Sequence, residues 1–187
     1  MSLETKAKPC PEISDSVFQQ LSMKGKVTCI TGGGSGIGLA AARSIAEAGG
    51  DVAICYNSNS SAIQTAEEIS KSFGVRCRAY RCQVEEYDSV VKTVNKVVED
   101  FGRLDCMIAN AGMSISGGIL ERSVEDWHKV VNVNYHGVFH CAKASGHVFQ
   151  KQGKGNLIIT SSMSAHIVNI PGDQACYNST KAAVTQL

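Results

Sequence analysis

The sequence predicts an α/β fold: a single domain with a doubly wound parallel sheet and helices on both faces. Short apolar runs alternate with amphipathic helical segments five times between Lys26 and Leu187, which is the pattern of consecutive βαβ units. Most of the strand runs are apolar at successive positions, as in strands that are covered on both faces. The length of 187 residues fits one domain that can bury its core without disulfides or metals.

The elements follow one another with ordinary start and stop signals. Predicted strands span 26–31, 51–56, 75–82, 104–109 and 155–161, and predicted helices span 36–48, 60–73, 86–101, 123–150 and the residues from 175 onward. Glycines close three of these helices. The third strand alternates polar and apolar residues, which predicts an edge position in the strand order 3-2-1-4-5. Residues 1–24 are predicted to form a mobile arm with a short helix near Val17–Leu21, so the domain itself spans 25–187.

Composition excludes several classes of partner. The chain is 43% hydrophobic and 19% charged, with a formal net charge of +1 and no block of like charges, so it lacks the basic patch that nucleic acids or anionic membranes require. No apolar run reaches the roughly 18 residues of a membrane span, and the N-terminus lacks a secretory signal. None of the eight cysteines forms a C-x-x-C pair, which favours buried thiols, no metal site and a reducing, cytoplasmic setting.

A glycine cluster lies between the first strand and the first helix. Gly32, Gly36 and Gly38 give the spacing G-x-x-x-G-x-G. Glycines allow the backbone to approach a ligand closely, and the helix that begins here points free N–H groups and its positive dipole end at an anion. In a strand–turn–helix context, this cluster predicts a site of the Rossmann type for the pyrophosphate of a dinucleotide.

Tyr177 and Lys181 suggest acid–base chemistry. They are spaced i, i+4 on one predicted helix and therefore share a face. A nearby ammonium favours the phenolate form of a tyrosine, which suits it to exchange a proton with an alcohol or ketone oxygen at neutral pH.

With these motifs, the chain resembles the short-chain dehydrogenase/reductase family from Lys26 to Leu187. Besides the glycine spacing, Asn110-Ala111-Gly112 resembles the N-A-G motif of that family, 134–137 its N-x-x-G motif, and 177–181 its Y-x-x-x-K signature. The four motifs occur in the order of the family. The resemblance implies hydride transfer between a nicotinamide cofactor and a ketone or alcohol.

The resemblance also implies roles for individual residues. Tyr177 and Lys181 would be catalytic, Asn134 would complete a proton relay, and a serine would bind the substrate oxygen. Ser162 occupies the motif position of that serine, whereas Ser164 has the commoner separation of 13 residues from Tyr177; Ser162 is preferred and Ser164 stays open. The expected cofactor contacts are Gly32, Gly34, Ser35, Gly36, Ile37, Gly38, Asn57, Ser58, Asn59, Gln83, Val84, Asn110, Ala111, Gly112, Tyr177 and Lys181.

The end of the second strand bears on the choice of cofactor. Domains that prefer NAD place a carboxylate there on the ribose 2′-hydroxyl, but Asn57, Ser58 and Asn59 stand at this point instead. The absence of an acid removes repulsion against a 2′-phosphate, and small polar side chains could bind it. No arginine or lysine occurs in this run. The sequence therefore favours NADP(H) over NAD(H).

Within the family, the chain is most similar to a fungal branch that contains sorbose reductase, NADP-dependent mannitol dehydrogenase and carbonyl reductases. The residues behind this likeness are 56–58, 153–164 and 167–171. The implied substrate is a ketose such as fructose or sorbose, reduced to a polyol; the alternatives are a non-sugar ketone, or a non-catalytic dinucleotide-binding sensor or scaffold. The chain stops at Leu187, where family members continue, so the resemblance implies truncation at the C-terminus and, for the full-length form, a homodimer or homotetramer.

Overall fold

The computed structural model describes residues 13–14 and 16–187. Five parallel strands form one sheet in the order β3-β2-β1-β4-β5, and helices cover both of its faces. The strands are β1 (Val27–Thr31), β2 (Asp51–Tyr56), β3 (Cys77–Arg81), β4 (Cys106–Ala109) and β5 (Asn156–Ile159). This is the predicted doubly wound sheet, with its third strand at one edge.

Most of the helices connect successive strands across the faces of the sheet. The helices are α1 (Val17–Gln20), α2 (Gly36–Glu47), α3 (Ser61–Phe73), α4 (Tyr87–Phe101), α5 (Val124–Val131), α6 (Gly137–Gln152) and α7 (Ala175–Thr185). Glycines in the left-handed conformation terminate α3, α4 and α6, at φ of 67°, 82° and 73°. A side chain with a Cβ is disfavoured in this conformation, so these glycines fix where the helices end.

The core has two parts, one on each face of the sheet. On one face, α2 and α3 bury alanines against Ile30 and Ile54 of the central strands. On the other face, α4 and α6 pack against Cys29 and Met107, and the valines at 90, 94 and 97 provide the buried stripe of α4. The two layers hold the carboxyl ends of the strands in fixed relative positions, which is where ligands of open α/β sheets bind.

The predicted elements are confirmed, with boundaries that differ by one or two residues. The long helix predicted over 123–150 is interrupted by a π-helical turn at Asn132–His136, between α5 and α6. The seven cysteines that the structure describes are free thiols in buried positions, as expected. No helix in the described part of the chain is long and apolar enough to cross a membrane.

The N-terminal arm is described only in part. The short helix expected near Val17–Leu21 is present as α1. Residues 1–12 and 15 lie outside the described residues, so the division into an arm at 1–24 and a domain at 25–187 stays a prediction.

Candidate active site

The candidate site lies at the carboxyl edge of the sheet, where β1 and β4 are neighbours. The chain leaves β1 toward α2 on one face, whereas it leaves β4 toward α5 and α6 on the other. The strand order reverses at this point, and the diverging connections leave a crevice between them. The glycine loop follows β1, the segment 110–112 follows β4, and the serines follow β5.

The glycine loop is folded tightly on one side and open on the other. A Cβ added to Gly38 would lie 2.3 Å from the carbonyl oxygen of Gly32, whereas one added to Gly36 would meet no atom within 4 Å. Gly32 and Gly36 have φ of 66° and 52°, which favours glycine at both positions. Gly34 packs against α3, and Ser35 and Ile37 are exposed. The first N–H groups of α2 therefore face open space, which fits the pyrophosphate of a dinucleotide.

Thr31 connects the end of β1 to the turn after β4. Its side chain is buried, and its hydroxyl oxygen accepts hydrogen bonds from the backbone N–H groups of Asn110 and Ala111, both at 3.0 Å. The Asn110 side-chain amide donates in return to the Thr31 carbonyl at 3.0 Å. From β5, the Thr160 hydroxyl donates to the Asn110 amide oxygen at 3.3 Å. Asn110 thus ties three strands together beside the glycine loop, and Ala111 is half-buried behind it.

Tyr177 and Lys181 lie on α7 and face this crevice. Lys181 is 3% exposed, and its ammonium donates to the carbonyl oxygen of Thr160 at 2.6 Å. The Lys181 Nζ lies 5.6 Å from the centre of the Tyr177 ring. Burial lowers the pKa of the Lys181 ammonium from its usual value, because an apolar environment disfavours the charged form. The shared helix face expected from their spacing is therefore present.

Asn134 occupies the π-helical turn and is fully buried. Its amide oxygen accepts from the backbone N–H of Met113 at 2.8 Å, and its amide nitrogen donates to the Met113 carbonyl at 2.9 Å and to the Thr180 hydroxyl at 3.1 Å. Gly112 separates it from Lys181, since a Cβ there would lie 3.4 Å from the Asn134 Oδ1 and 3.7 Å from the Lys181 Nζ. A π-helical turn interrupts the regular helix, and here it carries a buried polar side chain that contacts Met113 and Thr180.

The two candidate serines both follow β5. The Ser162 hydroxyl oxygen accepts from the backbone N–H of Ser164 at 3.1 Å and so caps a short 3₁₀ helix at Met163–Ala165. Ser164 is more deeply buried, and its hydroxyl accepts from the Asn169 side-chain amide at 2.8 Å. Ser162 is the more accessible of the two.

These groups line one cleft of about 610 Å³. Its walls include Ile37 and Asn110 from the cofactor side and Tyr177, Lys181 and both serines from the catalytic side. Gly112 also lines it, and further polar groups come from Ser114, Asn169 and Gln174. Asn134 lies behind this wall, in contact with residues that form it.

Residues 26–187 match the family model of short chain dehydrogenases. This chain belongs to that family. It is 48% identical over 181 residues to a probable NADP-dependent mannitol dehydrogenase of Yarrowia lipolytica, an alignment of 96% of this chain and 65% of that protein. It is 49% identical over 168 residues to a sorbose reductase of Schizosaccharomyces pombe, covering 89% of this chain and 66% of that protein.

A solved structure agrees with this assignment. The crystal structure of an NADPH-dependent 3-quinuclidinone reductase from Rhodotorula rubra has 50% sequence identity and a TM-score of 0.93, over 97% of this chain and 68% of that one. The chain thus spans about two thirds of the length of these short-chain dehydrogenases.

The segment expected to meet the adenosine ribose follows β2. Asn57, Ser58 and Asn59 are exposed there. The Asn59 amide oxygen accepts from the backbone N–H of Ser61 at the start of α3, at 3.1 Å. From β3, the Arg81 Nε donates to the Asn57 carbonyl at 3.3 Å. The run itself contains no arginine or lysine, but the fold brings the basic side chain of Arg81 beside it.

Gln83 and Val84 follow β3 on the same edge of the sheet. Gln83 is half-buried, and its backbone N–H donates to the Ser89 hydroxyl at 3.0 Å. The Val84 side chain packs in the core, and its carbonyl oxygen lies 2.9 Å from the His140 Nδ1. A ligand at this end could therefore meet Gln83 directly, but Val84 mainly through its backbone.

Sequence reasoning missed three residues that organise this short-chain dehydrogenase site: Thr31, Thr160 and Arg81. Thr31 and Thr160 each stand at the end of a strand beside a motif, so their position next to the glycine and serine segments was the available signal. No such signal marked Arg81, because its neighbour Asn57 is 24 residues away in the chain. Among the described residues, no cluster of three or more potential ligands could hold a metal ion.

Proposed function

We propose that this chain carries the cofactor and catalytic sites of an NADP(H)-dependent oxidoreductase that interconverts a ketone and its alcohol. The observation that carries the proposal is the convergence of Tyr177, Lys181 and Ser162 on one cleft beside the glycine loop. The three relatives reported above have names that refer to NADP or to a reductase, and the end of β2 lacks the acid that would oppose a 2′-phosphate. The loop at 32–38 and the turn at 110–112 would hold the dinucleotide.

The mechanism assigns one proton-handling task to each group. When bound, NADPH supplies the hydride that adds to the carbonyl carbon. Ser162 donates a hydrogen bond to the carbonyl oxygen and orients it toward Tyr177. The Tyr177 hydroxyl transfers its proton to that oxygen as negative charge develops there, and the alcohol O–H bond forms as the phenolic O–H bond breaks. In the reverse direction, the Tyr177 phenolate takes the proton from the alcohol.

Lys181 and Asn134 support Tyr177. The Lys181 ammonium stabilises the phenolate that remains after proton transfer, and its hydrogen bond to Thr160 holds it in place. Asn134 lies across Gly112 from Lys181 and would connect it to the protons that restore Tyr177. Lys181 would also bind hydroxyls of the nicotinamide ribose.

For the substrate, we propose a ketose such as fructose or sorbose. Ser114, Ser164, Asn169 and Gln174 line the cleft, and their hydroxyl and amide groups can exchange hydrogen bonds with substrate hydroxyls, which favours a polyhydroxylated substrate over an apolar ketone. 3-Quinuclidinone, the ketone named for the Rhodotorula rubra reductase of known structure, is the comparison substrate.

The test compares Tyr177→Phe with Tyr87→Phe in the longest available form of the protein. Tyr87 packs against His140 away from the cleft, and its hydroxyl has no hydrogen bond within the described residues. Tyr177→Phe should lower kcat for ketose reduction by at least about 100-fold and leave NADPH affinity within about twofold, whereas Tyr87→Phe should change neither. Near-normal kcat in Tyr177→Phe would disprove the mechanism. NADPH binding without turnover of any ketose or of 3-quinuclidinone would favour a sensor or scaffold.

The assembly and location remain proposals as well. A homodimer or homotetramer of the whole protein is testable by light scattering. The free thiols of the seven described cysteines fit a reducing compartment such as the cytoplasm, which fluorescence microscopy of a tagged protein would test.

A further inference from the structure

Arg81 lies at the carboxyl end of β3, next to the loop that follows β2. The two strands pair in parallel with Arg81 opposite Tyr56. The Arg81 side chain reaches the residue just past the end of β2, where its Nε donates to the Asn57 carbonyl at 3.3 Å. The guanidinium therefore lies against the first residue of the polar segment 57–59.

Arg81 is available to a ligand. Four other arginines described by the structure each pair with an aspartate: Arg76, Arg78, Arg103 and Arg122. Arg81, in contrast, forms no salt bridge with any described residue, and its Nη groups donate to no protein acceptor in that part of the chain. Its side chain is exposed. A guanidinium whose Nη donors are unused matches the paired oxygens of a phosphate.

The surroundings of Arg81 favour an anion on the side of α3. Toward α3, the segment 57–60 contains no carboxylate, Ser58 and Asn59 offer a hydroxyl and an amide, and the positive end of the α3 dipole points at the same loop. Toward α4, Arg81 also lines a separate cavity of about 460 Å³ whose charged side chains are of both signs, Glu86 and Asp88 beside Lys92 and Lys96. The segment 57–59 is thus the side on which Arg81 meets polar groups and no carboxylate.

We propose that Arg81, with Ser58 and Asn59, forms the subsite for the 2′-phosphate of NADP(H) and that Arg81 selects NADP(H) over NAD(H). The inference rests on the proposed function, since it requires the adenosine end of a dinucleotide at this loop. The Arg81 guanidinium supplies the positive charge that the run 56–60 lacks. A bidentate pair between Arg81 and the phosphate would contribute only to binding of the phosphorylated cofactor.

The experiment measures dissociation constants of NADPH and NADH by fluorescence titration of the chain and its variants. Charge-assisted hydrogen bonds of this kind contribute about 1.5–3 kcal/mol, which corresponds to about 10- to 100-fold in affinity. Arg81→Gln should therefore raise the Kd of NADPH by about 10-fold or more and leave the Kd of NADH within about twofold. Arg81→Lys keeps the positive charge but removes the paired N–H donors of the guanidinium, and should give an intermediate loss of NADPH affinity.

Arg78→Gln is the matched control. Arg78 lies on the same strand, is exposed and pairs with Asp100 instead of the β2 loop, and its replacement removes the same unit of charge. This control should leave both dissociation constants within about twofold, so that a general effect of net charge is excluded.

The outcomes separate this inference from the function on which it rests. An unchanged ratio of NADPH to NADH affinity in Arg81→Gln overturns the role of Arg81, while NADPH preference in the wild-type chain still supports the proposed cofactor. An equal loss of both cofactors in Arg81→Gln also overturns the inference, since a 2′-phosphate subsite cannot affect NADH. A wild-type chain that binds NADH as tightly as NADPH, or binds neither, overturns the inference together with the proposed cofactor.

Discussion

Replacement of Thr31 by valine tests whether one hydroxyl holds the two halves of the site together. Valine has nearly the same shape as threonine, so packing at the end of β1 is retained. The substitution removes the acceptor of two backbone N–H groups at 3.0 Å and the weaker donor to the Ile108 carbonyl at 3.4 Å. Each buried donor left without a partner costs about 1–3 kcal/mol. Because Asn110 and Ala111 are half-buried, some water can reach them, and we expect a total loss of about 2–3 kcal/mol.

Another threonine on the same strand provides a control, for which no loss of stability is expected. Thr28 is fully buried, but its hydroxyl has no hydrogen-bond partner among the described residues. Thr28→Val therefore removes an unpaired polar atom and should leave stability unchanged or raise it. Thr31→Ser keeps the hydroxyl and loses one methyl group, which costs about 0.8 kcal/mol.

Urea unfolding measures all three variants under one condition. With an m-value of about 2–3 kcal/mol/M, Thr31→Val should lower the midpoint by about 1 M, and NADPH affinity should fall because the turn at 110–112 loses its anchor. If Thr31→Val and Thr28→Val unfolded at the same urea midpoint, the conclusion that the hydrogen bonds of the Thr31 hydroxyl stabilise the fold would be refuted.

Two further predictions concern charged groups, and urea unfolding across pH tests both. Burial lowers the pKa of Lys181 in the folded chain. The folded chain therefore releases this proton at a lower pH than the unfolded chain, which holds it up to about pH 10.5. Lys181→Met should therefore be as stable as the wild type or more stable at pH 7.5, and its advantage should shrink as pH rises toward 10.5; an advantage that grows with pH would contradict this. For Asp105, burial raises the pKa, but the Arg103 guanidinium and the Val27 N–H lower it, and the lowering prevails. Its contribution is thus present above pH ~3.9 and lost as pH falls through the folded value, so Asp105→Asn should cost about 1–2 kcal/mol at pH 7, and its deficit should shrink as pH falls below ~3.9. A deficit that stayed constant there would point to packing rather than charge.

The sequence was sufficient for the fold because local signals and global topology agree. Valines at helical spacing in α4 and glycines after α3, α4 and α6 mark elements whose limits depend on nearby residues alone. The alternation of strands and helices then leaves few topologies, because crossovers between parallel strands are right-handed. Strand limits were less accurate, since a strand ends where its partner ends: β3 is shorter than the strand predicted over 75–82 because it pairs only with β2.

Residue spacing alone could predict the site only where its residues are close in the chain. Tyr177 and Lys181 share a helix, so their spacing placed them on one face. The partners of Asn134 could not be read in this way, because Met113 lies 21 residues before it and Thr180 46 residues after it. The same limit applies to Arg81. Its proposed role in cofactor selection depends on its position beside Asn57, which results from the parallel pairing of β2 and β3. Parallel strands are joined through helices, so residues that meet at their ends are necessarily distant in sequence.

The environment of Lys181 follows from the task proposed for it. A buried ammonium is usually paired with a carboxylate, yet within the described residues Lys181 has no such partner and donates to a carbonyl oxygen. A carboxylate in that place would stabilise the ammonium but would also oppose negative charge on the Tyr177 oxygen. A neutral acceptor holds the lysine in position without cancelling its charge, and the neutral amide of Asn134 behind Gly112 has the same property. The desolvation that lowers the pKa of Lys181 is therefore the consequence of leaving its positive charge available to a phenolate.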